Sequence, residues 1–486
     1  MNIRLFILVF LVFNLFGCSR GKPSYALSGK GIEYPSVPRV ELPPEENAFT
    51  IWTNAMLSAE PPSGDEELRT ALLMACSLKT NLVTNTKPVS RSTYRRAVFA
   101  NTNITKVVER PRLTKVADSP RLVEWLKSQK PVLEQIDKGV VLGKIQYPPM
   151  TISNSLDTLQ ITGFMSLVHL KKVNGRYLAE CGDYSNAINQ FCDIFKMADM
   201  MATGHGTALA FLIRNGIIAS DYVYGLEWLS RENAQNASLL RQILSRIPAP
   251  APCVPALVQG YQNEASLFTL QTFKNIAEEK IYYNAIYPKR LYCLLDPDET
   301  AALAQAIFTQ AATNACRPWI ERNSTLIDQL NQRLEHANVP KPVKTALAQS
   351  ILFATFHANK KDKDTIELWK TLKYSARREP NVFGLLLLKS SMAFTKSVHE
   401  RSVKLQCELN LLRAAVALMI IKAETGTYPD TLDETVKKGL LPELPIDFFS
   451  GKPLLYAPEH LCIWSIGSDG RSNGGESKTD VIFLLP

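Results

Sequence analysis

The sequence predicts a mainly α fold, a body of helical hairpins followed by a small carboxy-terminal α+β module with a long helix and a short antiparallel sheet. Three observations predict it. Apolar residues recur at helical spacing from Glu46 to about Ile421. Strand-like alternation is scarce before Leu440. Apolar residues make up 46% and charged residues 21% of the 486 positions, a composition that fills a sizeable core. The expected divisions are 1–17 as a signal segment, 18–45 as a tether, 46–400 as the helical body and 401–486 as the tail module.

The chain opens MNIRLFILVFLVFNLFGCSR. Arg4 supplies a positive start, and Leu5 to Phe16 are apolar except for Asn14. Such a run is a signal-peptide core, because a membrane-spanning helix needs about 20 apolar residues. The ending Leu15-Phe16-Gly17-Cys18 resembles a bacterial lipobox. That resemblance implies a lipidated Cys18 anchored in the cell envelope and facing the periplasm. Ser19, not Asp, follows the cysteine, which favours the outer membrane over the inner. The plainer alternative is an ordinary secretory signal with a chance cysteine.

Residues 19–45 are rich in Pro, Gly and Ser and read as a flexible tether. The net charge of +9 is scattered, with short clusters such as Lys360-Lys361 and Arg377-Arg378. Nucleic-acid binders gather such charge on one face with aromatics between, so no nucleic-acid partner is expected. Besides Cys18 there are Cys76, Cys181, Cys192, Cys253, Cys293, Cys316, Cys407 and Cys462, with no C-x-x-C pair. Most sit among helix-forming apolar residues and read as buried free thiols. Cys181 and Cys192 lie about 12 Å apart along a helix, beyond the roughly 7 Å reach of a disulfide.

Within the body, Glu46-Asn47-Ala48-Phe49 opens an amphipathic stretch. Ser119-Pro120 opens another, with Ser119 as N-cap and Pro120 at the first helical position. The stretches Ile247–Pro255 and Val339–Pro342 read as breaks. Residues 177–198 carry Ala179, Gly182, Tyr184, Ala187, Ile188 and Phe191. They resemble the turn and second helix of a tetratricopeptide repeat, but no second copy follows 34 residues on, so a plain antiparallel helix pair is the favoured reading.

In the tail, Leu405, Leu409, Leu412, Val416 and Met419 mark one face of a helix. Pro429 is expected to start a second, short helix, with Asp430, Asp433 and Glu434 early and Gly439 closing it. Strands follow at Leu454–Tyr456, Leu461–Ile466 and Val481–Phe483.

Three tail elements stand in the order found in type II secretion major pseudopilins. Thr425-Gly426-Thr427-Tyr428-Pro429 resembles their G-x-Y-P element. Pro445 to Leu454 resembles their P-x-D-P-F-x-G-x-P turn, with Phe448 where the family has Pro. Ser465 to Gly470, with Gly474-Gly475 and Asp480, resembles their closing glycine-rich loop. The family's prepilin leader and long amino-terminal transmembrane helix are missing, so a pseudopilus subunit is not expected. The overall plan also resembles large envelope proteins of planctomycete-type bacteria, a likeness that brings no activity with it.

The pseudopilin resemblance implies calcium in the final loop, through Asp469, Asn473, Glu476 and Asp480, with Ser477 nearby. Calcium needs about six to eight oxygens. The residues alone also fit a glycine-rich loop pinned by Asx turns. On either reading Asp469 is the carboxylate expected to matter.

No nucleophile elbow, P-loop or H-E-x-x-H is present. The six histidines, His169, His205, His336, His357, His399 and His460, show no metal spacing. No enzyme is expected. The function read from the sequence is that of a lipid-anchored envelope protein, with membrane contact through Cys18 and an envelope protein as partner. It would act as a scaffold or interaction module linked to secretion or envelope assembly. A cell-envelope hydrolase with dispersed carboxylates is the alternative.

Overall fold

The computed structural model describes residues 42–59, 115–146, 158–205, 208–251, 255–267, 296–339 apart from 318 and 323, 372–472, 474 and 480–486, together with 68, 72, 82–84 and 87–89. The protein is mainly helical, with a small α+β module at the end.

Asn47 starts the body by serving two elements. Its side chain accepts the Phe49 N–H at 3.1 Å, capping α1 (Ala48–Ser58). The same amide donates to the Gln146 carbonyl and accepts the Gln146 N–H, both at 2.8 Å. The amphipathic stretch after Ser119 is two helices, α2 (Pro120–Ser128) and α3 (Lys130–Leu142). Pro131 divides them, having no N–H to give to the preceding turn. Ser119 holds the N-cap position without a side-chain hydrogen bond. Trp52 of α1 is fully buried over α3, where Gly139 leaves room for it, and donates to the Ile136 carbonyl at 3.2 Å.

An antiparallel pair follows, α4 (Thr158–Glu180) and α5 (Tyr184–His205). The turn between them is a Schellman motif. The Asp183 N–H reaches the Leu178 carbonyl at 2.8 Å and the Gly182 N–H reaches Ala179 at 3.0 Å, with Gly182 at φ 85°. This is the helical pair expected at residues 177–198. Helix α6 (Ala208–Ile217) passes through a π turn (Ile218–Val223) into α7 (Tyr224–Glu232). Asn236 caps α8 (Ala237–Arg246), and α9 begins at Pro255 (Pro255–Leu267). Asp296 caps α10 (Pro297–Asn314), and α11 spans Thr325–His336.

Helix α12 runs from Val382 to Thr425, 44 residues, about 66 Å at the usual rise. It belongs to two apolar cores. Its first part packs with α6, α9, α10 and α11, and its second part with α1–α5, α7, α8 and the tail. The division expected at 400/401 therefore falls inside a continuous helix. Arg333 joins α10 and α11 to the start of α12, lying 2.7 Å from Glu299 and 2.8 Å from Glu379.

Gly426, at φ 87°, ends α12. The short helix α13 (Asp433–Lys437) begins four residues after Pro429, not at it, so Asp430 lies outside. Gly439, at φ 68°, follows its end. Strands β3 (Ile446–Asp447) and β4 (Lys452–Pro453) form a hairpin, with Ile446 opposite Pro453. Strands β5 (Leu455–Ala457), β6 (Cys462–Ser465) and β7 (Val481–Leu484) form an antiparallel sheet in that order, with Tyr456 opposite Ile463 and Ile463 opposite Phe483. Among the described residues, the body expected to be almost entirely helical holds one short pair of strands, β1 (Leu82–Thr84) against β2 (Lys87–Val89). Val83, Thr84 and Val89 are β-branched, and a two-residue connection suits a hairpin better than a helix.

Candidate functional site

The final loop holds the carboxylates singled out in the sequence. Asp469 is exposed, and its Oδ1 accepts the Arg471 N–H at 3.0 Å, an Asx turn. Gly467, Gly470 and Gly474 take positive φ and let the chain double back. Asp480 is buried just before β7. Asn473, Glu476 and Ser477 lie outside the described residues, as does Cys18. Among the described residues no group of three or more His, Cys, Asp or Glu is placed to hold a metal ion. The described donors do not by themselves make a calcium site.

The carboxylate that organises the tail is Asp447. It is 1% exposed and belongs to the Pro445–Leu454 turn. Its Oδ1 accepts from the Phe449 N–H (2.9 Å), the Ser465 hydroxyl (2.6 Å) and the Cys407 thiol (3.4 Å). Its Oδ2 accepts from the Ser450 hydroxyl (2.9 Å) and the Ile466 N–H (3.1 Å). One buried carboxylate thus joins the β3–β4 turn, the end of β6 and α12. Burial and the adjacent Asp447 push the Cys407 thiol well above its ordinary range, so it stays protonated and donates. Beside it Asn410 donates to the Ile446 carbonyl at 2.8 Å.

A second polar cluster runs along α4, whose Lys171, Lys172 and Arg176 are all buried. Lys171 bonds Asp137 of α3 and lies 2.9 Å from Asp193 of α5. Lys172 lies 2.7 Å from Asp221 and 3.2 Å from the Ser220 carbonyl, both in the π turn. The exposed Ser220 hydroxyl donates to the other Asp221 oxygen at 2.6 Å. Arg176 lies 3.5 Å from Glu180 and over the Trp228 ring. Burial raises the Glu180 carboxyl, opposed by the Ala117 N–H and Arg176. Burial lowers His169, while Asp221 opposes that shift and Lys172 adds to it. Chemically, the cluster fixes α3, α4, α5 and the π turn in register. Asp137, Asp193 and Asp221 are held by lysines of α4, Asp221 also by the Ser220 hydroxyl of its own turn, and Glu180 by Arg176 of its own helix.

Sequence reasoning reached the tail turns but chose Asp469 over Asp447. The signal for Asp447 was its setting, Pro-Ile-Asp-Phe-Phe-Ser-Gly, a carboxylate two residues before a backbone N–H and three before a hydroxyl. Cys407 and Cys462 are buried free thiols, as expected; Cys181 and Cys192 are also free, but Cys181 is exposed and Cys192 half-buried, and Cys316 is disulfide-bonded. The fold and clusters define a mainly helical protein whose α+β tail is seated on its longest described helix. No family model matches the chain, and neither does any curated protein or solved structure.

Proposed function

We propose that this chain is a lipid-anchored cell-envelope protein whose helical body serves as a scaffold or interaction module in secretion or envelope assembly. Residues 1–20 carry the proposal. A positive start, a short apolar core and Leu15-Phe16-Gly17-Cys18 together specify export and lipidation. Among the described residues no helix is long and apolar enough to cross a membrane. The disulfide at Cys316 is of a kind that persists in oxidising compartments. The inward pairing of the charged groups on α4 supports a rigid body that presents an outer surface to a partner.

Metabolic labelling with a radioactive fatty acid tests the anchor. The wild-type chain should carry label that Cys18→Ser loses, and undiminished label in that variant sinks the proposal. Crosslinked pull-down from detergent-solubilised envelopes tests the scaffold. An envelope or secretion component should be recovered, and recovery of cytosolic proteins alone would overturn it. Calcium in the final loop belongs to the proposal through the pseudopilin resemblance. A melting midpoint raised by calcium, and no longer raised in Asp469→Ala, would support it. An unchanged midpoint leaves the Asx turn as the loop's fastening.

A further inference from the structure

Trp319 stands where the helical body meets the tail. It lies in a short 3-10 turn, Trp319–Glu321, between α10 and α11. Its indole Nε1 donates to the Ser468 carbonyl of the final loop at 3.2 Å. Its ring meets Phe449 edge-on at 5.4 Å and His399 of α12 at 5.6 Å. The Arg322 Nε donates to the Trp319 carbonyl at 2.9 Å, and the guanidinium lies over the same ring. The α10–α11 connection, α12, the β3–β4 turn and the final loop therefore meet around one indole.

The sheet is fastened elsewhere. Asp447 ties its turn to α12. Lys422 and Tyr428 both donate to the Pro486 carbonyl, at 2.8 and 3.0 Å. Arg231 bonds the Leu484 carbonyl and lies over the Phe483 ring. The contact of the loop at Trp319 can part while these hold.

His399 is the titratable group at this junction. Its side chain is buried, and burial together with the Arg322 cation holds it down to about 4, so it is neutral at ordinary pH. Arg322 is itself lowered to about 10 by burial, and Glu400 of α12 and Tyr261 of α9 face it. Trp319 and Phe449 do not titrate. A proton on His399 would set a second cation near Arg322 in a site with little water. Like charges in a poorly screened site repel strongly. His399 sits on α12, whereas Arg322 lies in the α10–α11 connection just after the 3-10 turn, so the repulsion acts on the connection that carries Trp319 and strains its bond to Ser468.

We propose that this junction is an acid-released latch: protonation of His399 parts Trp319 from Ser468 and frees the final loop from the helical body, while the sheet stays on α12. The test uses the full-length protein in detergent micelles, titrated downward from neutral pH, with tryptophan emission, amide exchange and far-ultraviolet circular dichroism recorded together. Emission should shift to the red with a midpoint at about pH 4, before the helical signal falls. Amide exchange across 467–472, corrected for its intrinsic pH dependence, should rise roughly tenfold in the same step, while the Ile466 N–H stays protected by Asp447. His399→Phe, which keeps an aromatic ring without a titrating group, should abolish both changes, and Trp319→Phe should remove the emission change. His399→Gln serves as second variant if His399→Phe does not keep the wild-type helical signal at neutral pH. A step that persists unchanged in a folded His399 variant overturns the latch. So does a step that appears only with global loss of helix.

Discussion

Lys172 and Asp221 pair almost wholly out of water: Nζ lies 2.7 Å from Oδ1, and each side chain is 4% exposed. The pair joins α4 to a π turn, a backbone form that is rarely stable without local support. Lys172 supplies that support twice, because it also donates to the Ser220 carbonyl within the turn.

Removing one partner of such a pair should therefore cost far more than removing both. Lys172→Met alone leaves a buried carboxylate without its cation and should destabilise the fold by about 3–5 kcal/mol. Asp221→Leu alone should do the same. The double variant should recover most of the loss, because two apolar groups need no charge compensation. Urea unfolding of the three variants measures the coupling. Strict additivity would show that the pair is not a unit.

The tail's two singled-out carboxylates should behave differently. Asp447 accepts five hydrogen bonds in the core, so Asp447→Ala strands several buried donors and should cost about 3 kcal/mol or more. Asp469 is exposed in an Asx turn, and without calcium Asp469→Ala should cost no more than about 1 kcal/mol. Thermal melts in chelator compare them, and equal losses would contradict the ranking.

How much of this was legible follows from sequence distance. Gly182, Gly426 and Gly439 mark helix ends by a local backbone rule, and each is found at positive φ. The three closing strands show in their own alternation. Lys171 and Lys172 carry no such local mark, because their partners are 22 to 49 positions away. Nothing local distinguishes a paired lysine inside a bundle from a free one outside. The π turn is equally silent, since Ile218–Val223 reads as ordinary helix until Lys172 is seen against it. Asp447 was overlooked for a related reason. Its own turn was visible, but Ser465, Ile466 and Cys407 reach it only after the chain has folded back.

His169 gives the α4 cluster a pH dependence of definite sign. Burial is the main cause of its lowered pKa, so the folded protein keeps it neutral below its ordinary 6.5. Between 6.5 and the lowered folded value, the unfolded chain carries a proton that the folded chain does not. Stability from this group is therefore full above 6.5 and falls as pH drops through that window. His169→Gln should flatten that part of the curve of unfolding free energy against pH. An unchanged slope in the variant would mean that His169 titrates normally in the fold.

Two helical glycines should respond to the same substitution with opposite signs. In an exposed helix interior, Gly→Ala stabilises by about 0.5–1 kcal/mol, because alanine loses less backbone freedom on folding. Gly216 in α6 is half-buried but keeps the open space that such a gain needs, since a Cβ there finds no atom within 4 Å. Gly139 in α3 does not. A Cβ there would lie 2.2 Å from the Trp52 Nε1 and 2.6 Å from Cε2. Trp52 cannot step aside cheaply, being fully buried, bonded to the Ile136 carbonyl and packed on Phe164 at 5.8 Å. Overpacking of this kind costs about 1–3 kcal/mol, which exceeds the gain in helix propensity. Gly216→Ala should raise the unfolding midpoint and Gly139→Ala should lower it, with loss of near-ultraviolet dichroism as Trp52 shifts. A rise for Gly139→Ala would mean that α1 does not press its indole on α3, and the contact between those two helices would have to be redrawn.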